Sequence, residues 1–204
     1  MRHNRIAVID DQEAVRRGIG EMLDAYGYAV VLFDSAAAFL NDSRRGDIGC
    51  VVSDVRMPDM DGIALVRRLA TEKPPIVPVI LISGQADIPM AVMAVKAGAI
   101  DFIEKPVDDV RLIAAINRAM ARPASSPGAQ DLTAQIARFQ RLTTRETKVF
   151  DMVAEGHTSP SIASNLAISV RTVEGYRAQI MEKLQLTSVA AVVRLAIRLG
   201  RIAP

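Results

Sequence analysis

Five short apolar runs, each leading into a helical pattern, constrain residues 1–120 more than any other feature. The runs are Ile6–Ile9, Ala29–Phe33, Cys50–Ser53, Val77–Ile82 and Asp101–Ile103. The helical stretches are about Glu13–Ala25, Ser35–Asn41, Gly62–Thr71, Ile88–Lys96 and Asp108–Ala121. Strands that are apolar along most of their length are covered on both faces, as in parallel sheets. The alternating order therefore predicts an α/β doubly wound sheet of five parallel strands.

In such sheets ligands bind beyond the carboxyl ends of the strands. The residues expected there are Asp10 and Asp11 after the first run, Asp54 after the third, Ser83 after the fourth, and Glu104, Lys105 and Pro106 after the fifth. Taken singly, each has an ordinary use: an Asp pair caps a helix, an Asp before a proline-containing loop makes a turn, a lysine is solvated. Their joint placement at one edge points to chemistry. Two carboxylates ~4 Å apart repel by roughly 4 kcal/mol at an effective dielectric near 20, so three call for a cation among them. Oxygen ligands in a partly hydrated site suit Mg²⁺. Lys105 adds a second positive charge. A site of this kind holds a transferred phosphoryl group, with one carboxylate as nucleophile.

The second constraint is a break in composition at Arg122–Asp131, RPASSPGAQD, which has the prolines, serines and glycine of a linker. Residues 1–120 hold 14 Lys and Arg against 17 Asp and Glu, a net −3; residues 121–204 hold 11 against 6, a net +5. An acidic half and a basic half predict two domains, the second facing a polyanion. No strands are expected after the linker. Helical patterns run about Leu132–Arg141, Arg145–Glu155, Ser159–Asn165, Val170–Leu184 and Val189–Leu199. Thr143 and Glu146 form a capping box, and Gly156 is placed to end that helix. Thr158 or Ser159 caps the next, with Pro160 in its first turn, and Ser169 caps VRTVEGYRAQIMEKL. Two helices joined by a short connection form a helix-turn-helix.

At about 100° per residue, Val173, Tyr176, Ile180 and Leu184 fall on the core side of that last helix. Arg171, Glu174, Gly175, Ala178 and Glu182 fall on the other, a short-chained face of mixed charge. In a recognition helix such residues meet base edges: Arg171 a guanine or phosphate, Glu174 a cytosine amino group, Gly175 and Ala178 a thymine methyl, with Lys183 a phosphate candidate. Pattern alone leaves DNA binding and protein interaction both open.

Other features are exclusions. No run approaches the ~20 apolar residues of a bilayer span, and MRHNRIAVIDD meets two carboxylates too early for a secretory signal, so a cytoplasmic protein is expected. Cys50 reads as a buried strand residue in a reducing compartment. His3 and His157 have no neighbouring Cys or His, which argues against zinc.

IAVIDDQ, VVSDVRMPDMDG, VILISGQAD and AGAIDFIEKP together resemble the receiver domain of two-component response regulators. LTTRETKVFDMVAEGHTS, ISVRTVEGYRAQIMEKL and VVRLAIRLG resemble the four-helix DNA-binding domain of the LuxR/NarL group, and the combination is similar to the FixJ subfamily. The resemblance implies a CheY/flavodoxin-like receiver over 1–121, a linker over 122–131 and a small all-α helix-turn-helix domain over 132–204. It implies Asp54 as phosphoacceptor, served by a histidine kinase. It implies Mg²⁺ held by Asp11, Asp54 and the Arg56 backbone carbonyl, with Asp10 acting through water. Ser83 and Phe102 match the switch pair, and Lys105 the lysine before a cis proline. Arg171, Thr172, Glu174, Gly175, Ala178 and Lys183 are the candidate DNA contacts.

The resemblance further implies a regulator, not an enzyme. Phosphorylation is expected to rearrange the face around Ile88–Lys96 and Val107–Ala121, where Met90, Val92, Met93 and Val95 supply apolar surface, and to make a homodimer that binds promoter DNA and works with RNA polymerase. The family usually has Asn-Lys-Glu-Ile at Ser159–Ile162, so a cation and a cap partner are missing here. Arg56 and Gln85 flank the site at positions that vary between members. A phosphotransfer enzyme would want a second carboxylate two residues after Asp54, where Arg56 stands. A regulator whose second domain binds no DNA is the remaining alternative, and salt-dependent promoter binding separates the two.

Overall fold

The computed structural model describes residues 4–72, 77–84, 87–121 and 129–203, with the side chains of 129–132 left aside. His3, Gln85 and residues 122–128 of the expected linker lie outside the described residues. Five strands are present: β1 Arg5–Ile9, β2 Ala29–Phe33, β3 Cys50–Asp54, β4 Val79–Ser83 and β5 Asp101–Glu104. All pair in parallel, in the order β2-β1-β3-β4-β5. The helices between and after them are α1 Glu13–Ala25, α2 Ala36–Asn41, α3 Gly62–Ala70, α4 Ile88–Ala97 and α5 Asp109–Ala121. A short 3-10 turn at Ser43–Asp47, not anticipated from the pattern, links α2 to β3.

Period-two alternation divides the sheet into two buried faces. Ile6, Val8, Cys50, Val52, Ile80, Ile82 and Ile103 cluster with Ile19 and Leu23 of α1 and with Leu112, Ala115 and Ile116 of α5. Helices α2 and α3 pack on the sheet as well. Cys50 is buried in this core, where desolvation pushes its thiol up to about 12. It is an inert core residue.

The helices start where their caps are. Ser35 Oγ accepts from Ala38 N, and Asp61 Oδ1 accepts from Ala64 N at 2.6 Å. Gly62, the first residue of α3, has little room around it. A Cβ there would stand 2.4 Å from the Asp54 carbonyl oxygen and 2.9 Å from Leu81 Cδ2. Only glycine lets α3 approach the end of β3 so closely.

Five further helices follow: α6 Ala129–Phe139, α7 Thr144–Glu155, α8 Ser159–Leu166, α9 Val170–Leu184 and α10 Val189–Arg198. Helix α6 begins three residues inside the expected linker. The helix breakers Pro127 and Gly128 end there, and Ala129–Gln130 are helix formers. Thr143 and Glu146 make the expected capping box, and Gly156 ends α7 in the left-handed region at φ 101°. Thr158 caps α8 and Ser169 caps α9. Val149, Phe150, Val153, Ile162, Val173, Ile180, Leu184, Val192 and Val193 are buried. Tyr176, expected in this core, is half-buried, because its position lies at the margin of the stripe that Val173, Ile180 and Leu184 define.

By compactness the chain forms two units, Met1–Ala86 with Ala97–Arg122, and Asp87–Lys96 with Pro123–Pro204.

Gly62→Ala is expected to destabilise the sheet unit by about 1–3 kcal/mol through overpacking. A fall in its urea midpoint relative to wild type, with the cooperative slope kept, is the measurement.

Candidate functional site

Asp10, Asp54, Ser83 and Lys105 converge because β1, β3, β4 and β5 are neighbours and all end at one edge. Ile9 is in register with Ser53, Asp54 with Ile82, and Ser83 with Glu104. Asp10 is fully buried and Asp54 is 4% exposed. The Lys105 ammonium reaches both: Nζ lies 2.8 Å from Asp10 Oδ2 and 2.6 Å from Asp54 Oδ1. Asp10 Oδ1 accepts from Gln12 N at 2.9 Å, and Asp54 Oδ2 from Arg56 N at 2.6 Å. Each carboxylate therefore has one oxygen on Lys105 and one on a backbone N–H.

The protonation equilibria follow from that arrangement. Burial pushes the Asp54 carboxyl above its ordinary range; the hydrogen bond and charge of Lys105 pull it back only in part, and Asp10 adds repulsion. Burial disfavours the Lys105 ammonium, but the bonds to Asp10 and Asp54 outweigh it and its pKa is raised. Lys105 therefore stays charged at neutral pH, and burial keeps the Asp54 carboxyl raised in spite of that charge.

Ser83 and Phe102 are buried beside this edge. Lys105 N donates to Ser83 O at 2.8 Å, and the Lys105–Pro106 bond is cis. Asp11 is exposed at the rim. Arg16, which the sequence pattern did not single out, belongs to the set: its Nη1 donates to the Asp10 backbone carbonyl at 2.6 Å, pinning the β1–α1 turn. An acid pair followed by a cation one turn into the helix was the available signal.

In the helical unit, Arg171, Thr172, Glu174, Gly175 and Ala178 are exposed on α9 as the periodicity requires. Thr172 is engaged in the cap: its N–H donates to Ser169 Oγ, and the two hydroxyls lie 2.8 Å apart. Lys183 is engaged too. Its ammonium lies 2.6 and 2.8 Å from the two oxygens of buried Glu146, which also accepts from Thr143 N at 2.7 Å. Burial pushes the Glu146 carboxyl up, but the Lys183 and Thr143 hydrogen bonds outweigh it and leave it below its ordinary value.

Residues 6–117 match the response regulator receiver domain, and residues 140–196 match the bacterial regulatory proteins of the luxR family. The transcriptional regulatory protein FixJ of Bradyrhizobium diazoefficiens is 45% identical, over 96% of this chain and 95% of that one. FixJ of Rhizobium meliloti is 44% identical, over 96% of each. The crystal structure of full-length FixJ from B. japonicum aligns with a TM-score of 0.51 at 42% identity, over 97% of this chain and 98% of that one. The chain belongs to the FixJ-like response regulators. It is a transcriptional regulator with a receiver and a LuxR-type DNA-binding domain. No helix among the described residues is long and apolar enough to cross a membrane.

Receiver domains generally bind Mg²⁺ at the acidic phosphorylation site. Among the described residues no cluster of three acidic, His or Cys side chains is already drawn together to hold a metal. The donor chemistry nevertheless fits. Asp10 and Asp54 share one ammonium, and Asp11, next in the chain, is exposed at the rim. Hard oxygen donors with excess charge suit a small divalent cation.

Because the Glu146 carboxyl is held below its ordinary value, its contribution to stability is full above about pH 4.5 and is lost as pH falls through the depressed folded value. Glu146→Gln is therefore expected to lower stability at pH 7 and to flatten the loss between pH 4.5 and more acid solution. Thermal unfolding across that range checks both parts.

Proposed function

We propose that Asp54 is the phosphoacceptor and that its phosphorylation by a sensor histidine kinase drives homodimerisation and promoter binding. One observation carries the reading: the Lys105 ammonium touches Asp54 Oδ1 at 2.6 Å and Asp10 Oδ2 at 2.8 Å at the carboxyl edge of the sheet. An Asp54 oxygen attacks the phosphorus of a phosphohistidine, the P–N bond breaks, and the imidazole leaves. Lys105 stays charged and is placed to follow the phosphoryl oxygens as charge builds on them. Arg56 N and Lys105 orient the attacking carboxylate, and Arg16 keeps the acidic turn in place. Asp11, Asp54 and the Arg56 carbonyl would hold Mg²⁺, with Asp10 acting through water; when bound, the ion neutralises phosphoryl oxygens and orients them for in-line transfer.

Ser83 and Phe102 then report the new charge. A phosphoryl group at Asp54 offers acceptor oxygens that the Ser83 hydroxyl can meet, and Phe102 follows it in the next strand. Met93 is an exposed large apolar residue on α4 and is a candidate for the dimer face. In the second domain, Arg171, Glu174, Gly175 and Ala178 form the reading surface, and a dimer reads two half-sites of a pseudo-palindromic operator. RNA polymerase is the proposed downstream partner, and the cytoplasm the proposed location.

The test is light scattering after size exclusion, with and without beryllium fluoride and Mg²⁺, on wild type and Asp54→Asn. A doubling of mass in wild type alone is the expected outcome. The same mass under all conditions removes dimerisation from the reading. Duplex binding by the wild-type dimer should weaken steeply with salt.

A further inference from the structure

Arg177 sits where a groove-binding cation has no reason to be. It shares the inward stripe of α9 with Val173, Ile180 and Leu184, at the i, i+4, i+7, i+11 spacing of one helix face. Those three are buried, and the Arg177 side chain is 27% exposed. Its Nη1 donates to Ser159 Oγ on α8 at 2.8 Å and to Glu174 Oε1 on α9 at 3.0 Å. Ser159 is buried. One guanidinium nitrogen thus joins the buried start of α8 to a carboxylate on the outer face of α9.

We infer that Arg177 is a specificity-positioning residue: anchored on Ser159, it fixes the Glu174 carboxylate in one orientation to accept a hydrogen bond from a cytosine amino group in the major groove. The inference rests on the DNA-reading proposed above. Three physical points support it. An i, i+3 pair with Glu174 53% exposed contributes little to stability, so stability does not account for the Arg177–Glu174 contact. A free glutamate has several rotatable bonds, and ordering it on binding weakens association; a glutamate already held avoids that loss. A carboxylate brought near DNA is also repelled by phosphates, and a guanidinium 3.0 Å away offsets that repulsion locally. Arginine suits the task better than lysine, because its planar fork is fixed once two acceptors are met.

The mechanism separates specificity from affinity. The full-length chain, treated with beryllium fluoride and Mg²⁺, selects duplexes from a randomised library. The selected duplex and its single-base variants are then titrated over a range of KCl. Arg177→Gln and Glu174→Gln are expected to relax preference at the same base pair of each half-site, by roughly tenfold. Binding to an unrelated duplex should change far less than that preference, because Arg177 meets no phosphate in this reading. Ser159→Ala should relax that same base pair by less, and Arg177→Lys should restore part of the preference.

A uniform loss across all duplexes with a slope smaller by about one would make Arg177 a phosphate contact and overturn the inference. Unchanged selection by Arg177→Gln, or relaxation at a different base pair, would overturn it as well. These outcomes leave the DNA-binding function standing. A wild-type chain that selects no sequence brings down both. If Arg177→Gln loses its thermal transition, Ser159→Ala, which leaves the Thr158 cap intact, decides by the same criterion.

Discussion

The Lys105 ammonium between Asp10 and Asp54 is the contact around which the receiver is arranged. Two buried carboxylates at one sheet edge repel strongly, and their burial raises the cost of keeping either ionised. One ammonium touching both offsets much of that cost. The strand order dictates how the cation must arrive. Asp10 and Asp54 follow adjacent strands, but Lys105 follows β5, separated from β3 by β4. With strands about 4.8 Å apart, only a long side chain spans that gap. The bond from Lys105 N to Ser83 O fixes the root of that side chain against β4. The balance stays incomplete, and the Asp54 carboxyl remains raised. That shortfall suits the site to a further cation and an incoming phosphoryl group.

The second domain holds a buried carboxylate in the opposite condition. Glu146 accepts two bonds from Lys183 and one from Thr143, and its carboxyl lies below the ordinary value although it too is buried. Burial pushes both carboxyls up and is outweighed only at Glu146. The donors per carboxylate differ as well. Asp10 and Asp54 share one ammonium, whereas Glu146 has one to itself. The closed arrangement ties α7 to the end of α9 and has no charge to spare for a ligand. The open one does.

The elements were legible because each leaves a local mark. Buried parallel strands are apolar along their length, and Ser35, Asp61, Thr143 and Ser169 announce helix starts one residue ahead. The convergence of Asp10, Asp54, Ser83 and Lys105 was legible too, since a parallel sheet fixes which loops meet. Contacts that depend on how helices pack were not. Lys183 turning to Glu146 and Arg177 reaching Ser159 each join residues whose approach depends on side-chain direction and tertiary placement. Helix α6 ran into the expected linker for a related reason: composition marks breakers such as Pro127 and Gly128, not the residue at which a helix resumes.

These internal commitments change the meaning of the basic balance in the second domain. A net +5 over residues 121–204 suggests a cationic surface, yet on α9 the charges are largely spent inside the protein. Lys183 neutralises Glu146, Arg177 bridges Ser159 and Glu174, and Thr172 completes the Ser169 cap. What faces outward at the start of α9 is Arg171, one held carboxylate, and the small residues Gly175 and Ala178. Phosphate attraction is sequence-independent and scales with the number of cations that meet the backbone. A reading helix with few free cations contributes little to that term and leaves it to the rest of the domain. On the proposed reading, its share of the energy lies in hydrogen bonds and close contacts with base edges, which distinguish one sequence from another.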